Sequence, residues 1–231
     1  MKSDKRPYIL LNYALSLDGK LSTEQRDPVR FTSRIDRGLM DEIRADADAV
    51  LIGAGTLRAE DPPVRIKAAR RRDERRRLGK SPHPVSVVLS RSMRLPTAGR
   101  YWEDGQVERI IATTKQATDE QVLPFQDLAE VIRVGKTTVE LPEFCRMLAD
   151  RGIERLLVEG GGEVNMAFWE AGLVDEVYLT LCPVVIGGST APTAADGKGF
   201  ASDRFRRLRL IESRRVGQEL FLRYRAVRSK S

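Results

Sequence analysis

Histidine and cysteine are nearly missing from this chain. Its 231 residues contain one histidine, His83, and two cysteines, Cys145 and Cys182, far apart and outside any C-x-x-C pair. A zinc site draws about four nitrogen or sulfur ligands from clustered positions, so a metal centre is not expected. Nucleophilic catalysis by a His–Cys or His–Ser pair has little to build on. The two cysteines read as small buried apolar residues. His83, between Pro82 and Pro84, reads as a loop residue. Long hydrophobic runs are missing too, and none approaches the roughly 18 residues that cross a bilayer. The start, MKSDKRPYILLNYALSLDG, offers no small-residue cleavage site after a long apolar core. It reads as a first strand, and the protein as cytoplasmic.

The composition is 41% hydrophobic and 32% charged, as in a globular domain. The net charge of +7 invites a nucleic-acid reading, but much of the excess is local. From Lys67 to Lys80 eight cations face two acids. Such a run is usually a solvated helix or loop. It contains no interleaved aromatics for stacking on bases, so a nucleic-acid partner is disfavoured.

Strand-like and helix-like segments alternate. Strands are expected at Tyr8–Leu15, Ala49–Ile52, Val85–Leu89, Arg109–Ala112, Glu130–Val134, Arg155–Val158 and Asp175–Leu181. Helices are expected at Ser33–Arg44, with Ser33 as cap and Ile35, Leu39 and Ile43 on one face. Two more are expected at Leu141–Arg151, closed by Gly152, and at Val164–Ala171, closed by Gly172. Arg206–Ile211 and Leu220–Val227 look like a closing antiparallel pair. The pattern predicts an α/β fold with a mostly parallel central sheet, antiparallel C-terminal strands and flanking helices. No repeat or long linker divides it, so residues 1–231 read as one domain, with a mobile basic insertion at 66–84.

Three turns at strand ends can carry chemistry. In Leu156-Leu157-Val158-Glu159-Gly160-Gly161-Gly162-Glu163-Val164-Asn165, a buried strand runs through three glycines into a helix. Glycines let backbone N–H groups approach an anion, and a helix start adds partial positive charge, as a pyrophosphate requires. It is neither the G-x-G-x-x-G fingerprint nor a P-loop. A tight structural turn explains the run alone equally well. The second turn is Gly53-Ala54-Gly55-Thr56, followed by Glu60-Asp61-Pro62. The third is Ser16-Leu17-Asp18-Gly19-Lys20. Together they make a dinucleotide cleft more plausible, because ligands of open sheets sit beyond the carboxyl ends of strands.

In that order and spacing, the three motifs resemble the riboflavin-biosynthesis reductase family, over about residues 6 to 226. Gly172-Leu173-Val174-Asp175-Glu176 and Pro183-Val184-Val185-Ile186-Gly187-Gly188 continue the resemblance. It implies a dihydrofolate-reductase-like fold, NADPH as cofactor, and reduction of the ribosyl group of a phosphoribosylamino-pyrimidine to a ribityl chain. It also implies a homodimer. By motif, Ala14, Thr56 and Glu60 contact the cofactor. So do Gly160, Gly161, Gly162, Glu163, Val164 and Asn165, in a stretch reaching Ala167. Ser90 and Arg91 fall where the family places the 2′-phosphate, which favours NADPH over NADH. Glu159, Arg44, Val64 and Lys67 match substrate positions, with Arg44 and Lys67 suited to the 5′-phosphate. Glu60 departs from the aspartate more common there, and Thr23–Arg30 aligns loosely and receives no role. The zinc-deaminase signature is missing, so deamination is not expected.

Hydride transfer to C1′ of an opened-ring imine is the expected chemistry, with Asp18 and Glu159 as candidate acids; Glu159 could equally hold the pyrimidine. The sequence leaves open whether the pyrimidine is the diamino or the deaminated form. One alternative is a reductase of the same fold acting on a folate-like or pteridine-like substrate.

Overall fold

The computed structural model describes residues 5–27 and 29–227. Residues 1–4, 28 and 228–231, which include the ends of the expected domain and Pro28 of the Thr23–Arg30 segment, lie outside it. The strands are β1 (Tyr8–Leu15), β2 (Ala49–Gly53), β3 (Val85–Leu89), β4 (Arg109–Thr113), β5 (Glu130–Arg133), β6 (Arg155–Val158), β7 (Glu176–Leu181), β8 (Leu208–Val216) and β9 (Glu219–Ala226). The helices are α1 (Arg34–Asp46), α2 (Ala54–Glu60), α3 (Ala69–Arg77), α4 (Asp119–Val122), α5 (Leu141–Asp150) and α6 (Gly162–Glu170).

All nine strands form one sheet in the order β5-β4-β3-β2-β6-β1-β7-β9-β8. The seven strands from β5 to β7 pair in parallel. Only the last two pairings, β7 with β9 and β9 with β8, are antiparallel. Central strands buried on both faces need continuous apolar runs, and Ala49–Gly53 is buried at every position. Two cores result. Phe144, Leu148 and Phe168 of α5 and α6 pack on one face with Ile9, Leu51 and Leu156. Ile43 of α1 and Leu57 of α2 pack on the other with Leu10, Val50 and Leu157. The result is a three-layer α/β/α arrangement.

Local signals explain the helix ends. Ser33 caps α1, its hydroxyl accepting from the N–H groups of Ile35 and Asp36. The same hydroxyl donates to the buried Glu219 at 2.5 Å and thereby ties the helix start to β9. Ile35, expected on the core face, stays exposed, while Leu39 and Ile43 pack inward. The second glycine turn is shorter than expected, because α2 begins at Ala54 directly after β2, which places Gly55 and Thr56 on a helix.

The segment expected as an insertion contains α3. Arg75 is 4% exposed and donates to the carbonyls of Ser81, Ala45 and Ala47 at 2.7–2.8 Å. Asp41 of α1 accepts from the N–H groups of Lys67 and Ala68. His83 is buried, and its Nδ1 accepts from Ile66 N. Most charges of the basic run are engaged. Arg70 pairs with Glu74, Arg71 with Glu42, Arg76 with Asp73 and Lys80 with Asp48, while Arg72 donates to backbone carbonyls.

Candidate active site

Strands β2, β6 and β1 are neighbours, so the turns after Gly53, Val158 and Leu15 meet at one edge of the sheet. A cavity of about 600 Å³ opens there, between these strand ends, α1 and α2. Of the residues expected to act, Ala14, Arg44, Thr56, Glu60, Lys67, Glu159 and Gly161 stand on its wall.

Arg44 and Glu159 form the strongest polar contact at the site. Arg44 Nε meets Glu159 Oε1 at 2.7 Å and Nη2 meets Oε2 at 2.6 Å, a bidentate fork. The two side chains are only 5% and 9% exposed. A third donor of Arg44 reaches the carbonyl of Arg65. Burial opposes the Arg44 charge, yet the facing Glu159 carboxylate raises the guanidinium above its ordinary value. Arg44 therefore orients Glu159 and has little left for a substrate phosphate.

Glu60 ends α2 at the cavity rim. Burial, and then the charge of Glu159, push its carboxyl above the usual carboxylate range. Asp18 behaves oppositely and lies off the wall. Its carboxylate accepts from Ser16 Oγ and from the N–H groups of Ile186 and Gly187. These bonds, with Ser16 first, lower it to about 2. Asp18 thus braces the turn after β1 against the 186–187 loop, away from the cavity.

At the triple glycine, Gly160 and Gly161 have φ of +72° and +59°, the left-handed region that glycine tolerates. The start of α6 has no side-chain cap, so its first N–H groups keep no intrahelical partner. A side chain added at Gly161 would come within 3.4 Å of Thr56 Oγ1. Gly162 has a different reason to be glycine. An added Cβ would lie 2.3 Å from Asp196 Oδ2 and 2.5 Å from the Thr193 carbonyl.

Several expected contacts lie off the wall. Val64 is 3% exposed within the core that includes Ile43 and Leu57. Val164 packs on the α5–α6 core, and Asn165 is buried, its amide donating to the Ala194 carbonyl. Gly160 and Gly162 are buried and off the wall, and Glu163 is exposed. Ser90 and Arg91 follow β3, outside the cavity. The Ser90 hydroxyl is buried with no partner, and Arg91 is exposed.

The wall also holds residues that the sequence reading missed. Asp36 and Met40 continue a stripe on α1 from the expected Arg44, and Arg37 stands beside it. Their four-residue spacing was a usable signal, hidden because the apolar stripe drew the assignment. Burial raises the carboxyl of Asp36. Tyr13 of β1 is pushed up to about 12, first by burial. Arg26 and Arg30 come from the loosely aligned Thr23–Arg30 segment, which has no periodicity to read. Their side chains, like that of Lys67, have no protein partner among the described residues.

The model of the RibD C-terminal domain matches residues 7–222. The chain belongs to the RibD C-terminal domain family. A relative from Archaeoglobus fulgidus, named 2,5-diamino-6-ribosylamino-4(3H)-pyrimidinone 5′-phosphate reductase, is 36% identical over 92% of this chain and 95% of its own length. A relative of the same name from Methanothermobacter thermautotrophicus is 33% identical over 95% and 98%. A pyrimidine reductase-like protein from Corynebacterium diphtheriae superposes with a TM-score of 0.85 at 22% identity, covering 96% of this chain and 93% of its own, and so shares the fold. This RibD-type sheet, mostly parallel with antiparallel C-terminal strands, is the one expected from the pattern. Among the described residues no group of three His, Cys, Asp or Glu could hold a metal, and no helix is long and apolar enough to cross a membrane.

Proposed function

We propose that this RibD-family chain reduces the ribosyl group of 2,5-diamino-6-ribosylamino-4(3H)-pyrimidinone 5′-phosphate to the ribityl form, with NADPH as reductant. One observation carries the reading: a cavity at the ends of β1, β2 and β6 is lined by residues of the Gly53–Pro62 and Glu159–Gly161 turns and by Ala14 of β1, in a chain alike over nearly its whole length to relatives bearing that reductase's name. Those names favour the diamino pyrimidine over the deaminated form and over a folate-like substrate. The engagement of the α3 cations argues against nucleic acid.

The site fits the cofactor. The side-chain-free backbone at Gly161, facing Thr56 Oγ1, leaves a cradle that any Cβ would fill, at the uncapped start of α6. The exposed guanidinium of Arg91, at the end of β3, supports NADPH over NADH. When bound, the cofactor supplies a hydride. In the reaction, the ribose ring opens to an imine, C1′ gains the hydride, and the imine nitrogen gains a proton. Glu60 is the acid this cavity offers, because it stands on the wall with its carboxyl raised by burial, whereas Asp18 lies off the wall with its carboxyl lowered. Glu159, fixed by Arg44, holds the pyrimidine. Lys67, Arg26 and Arg30, whose charges have no partner among the described residues, take the 5′-phosphate in place of Arg44.

The exposed apolar side chains of Leu208, Leu210, Ile211 and Leu220 on β8 and β9, each 39–50% exposed, support a homodimer. Two free buried cysteines support a reducing, cytoplasmic setting.

The test is nicotinamide oxidation with each pyrimidine and with dihydrofolate, using NADPH and NADH. Turnover of the diamino pyrimidine with NADPH is expected, and its absence would overturn the proposal. Glu60→Gln is expected to lower kcat by about 10²–10⁴, whereas Asp18→Asn leaves the proton-transfer step intact.

A further inference from the structure

A second cavity, of about 560 Å³, lies at the opposite end of the sheet. Tyr8 starts β1, Arg155 starts β6, Glu176 starts β7, and Arg223 and Arg225 lie near the end of β9, so all converge there. The proposed reaction uses none of them.

Its charges do not cancel. Glu176 is 1% exposed and is engaged by Arg223 Nε and, at 2.9 Å, by the Tyr8 hydroxyl. Arg225 approaches the same carboxylate only at 3.6 Å. Asp175 on the wall is held bidentately by Arg6 at 2.6 and 2.8 Å. Glu212 stands opposite Arg223 on β8 and is exposed. Arg155 has no carboxylate partner among the described residues, and its Nε is buried without any hydrogen bond. An orphaned buried guanidinium N–H is a costly group to leave unpaired. The cations are also held in place. Arg155 stacks over the Tyr8 ring at 5.5 Å and Arg223 over the Tyr178 ring at 5.2 Å. The stacked Arg155, with no carboxylate partner among the described residues, and Arg225, half-exposed and only 3.6 Å from Glu176, can turn guanidinium N–H groups to the oxygens of a phosphate.

We propose that this pocket binds a phosphate dianion, free or as the monoester of a small metabolite, through Arg155 and Arg225, apart from the catalytic cavity. The volume leaves room beyond one phosphate for an organic group. The inference does not depend on the proposed reaction.

The test is calorimetric titration of the full chain with inorganic phosphate and with ribose 5-phosphate. The catalytic cavity is also cationic, so the titration is repeated in Lys67→Gln, which weakens that cavity alone. Saturable binding is expected to persist in Lys67→Gln. It is expected to weaken about tenfold or more when Arg155→Gln or Arg225→Gln is added. Arg225, 48% exposed, is the replacement that leaves the fold least disturbed. Whichever ligand binds more tightly identifies the source of the phosphate. Loss of all binding in Lys67→Gln alone would overturn the proposal, as would unchanged affinity in both arginine variants. A change in sedimentation of Arg225→Gln with phosphate affinity intact would assign these arginines to a subunit contact instead and also overturn it.

Discussion

Replacing Glu159 by glutamine keeps its size and removes its charge, which leaves Arg44 buried and uncompensated. The two side chains are 5% and 9% exposed, and the fork closes at 2.6 and 2.7 Å. Arg44 cannot escape by losing its proton, since an arginine stays charged at any working pH. Removing one partner of a buried pair costs about 3–5 kcal/mol, mostly the burden of the stranded charge. For a chain of this size 1 kcal/mol moves the melting temperature by about 2–4 °C, so Glu159→Gln is expected to melt about 6–20 °C lower. Urea unfolding of wild type, Glu159→Gln and Arg44→Met/Glu159→Leu gives the decisive comparison. The double variant removes both charges and is expected to recover most of the loss. A Glu159→Gln variant within about 1 kcal/mol of wild type would refute the reasoning. So would a double variant no more stable than the single one.

Gly162→Ala is expected to cost about 1–3 kcal/mol, because the new Cβ meets Asp196 and the Thr193 carbonyl. Gly55→Ala, in α2 with nothing within 4 Å of the added Cβ, is expected to gain about 1 kcal/mol, and urea midpoints compare the two. Cys145 and Cys182 are both pushed up to about 12, chiefly by burial, so neither is expected to react with a thiol reagent in the folded protein at mildly alkaline pH. Both should react in urea, and rapid labelling of the native chain would contradict their burial. The Asp18 carboxyl lies below its unfolded value of 3.8, at about 2. Its bracing of the 186–187 loop is therefore complete above pH 3.8 and is lost as the pH falls through about 2. A carboxyl NMR titration centred at the ordinary aspartate value would show that the brace does not form.

Much of the fold was legible because each strand carries its own evidence. Tyr8–Leu15, Val85–Leu89 and Arg155–Val158 appear with the bounds their apolar runs predict. Ser33 capped its helix as its position and chemistry suggested. Legibility failed where the signal was mixed. α3 is six arginines with one aspartate, one glutamate and one alanine, without an apolar stripe, and it docks through Arg75 and backbone carbonyls, which no hydrophobic pattern reports. Around the cavity, residue types pointed to turns that the sheet brings close together, but partners could not be read. Arg44 looked free for a phosphate and is held by a residue far along the chain, while Asp18 looked free for catalysis and is held by loop N–H groups.

The sequence by itself determined most of the local elements, the family, and the glycine turns at the strand ends. Those properties depend on periodicity, caps and glycine conformations, which act within a few residues. Only the tertiary structure decided that β6 inserts between β1 and β2. That order makes neighbours of the turns after Leu15, Gly53 and Val158. Apolar strands of similar length compete for central positions in a sheet, and side-chain packing across both faces selects among them. The same long-range packing buried Glu159 against Arg44, lifted the carboxyl of Glu60 and gathered the arginines at the far end of the sheet. Charges acquire such properties from neighbours that sequence spacing does not reveal.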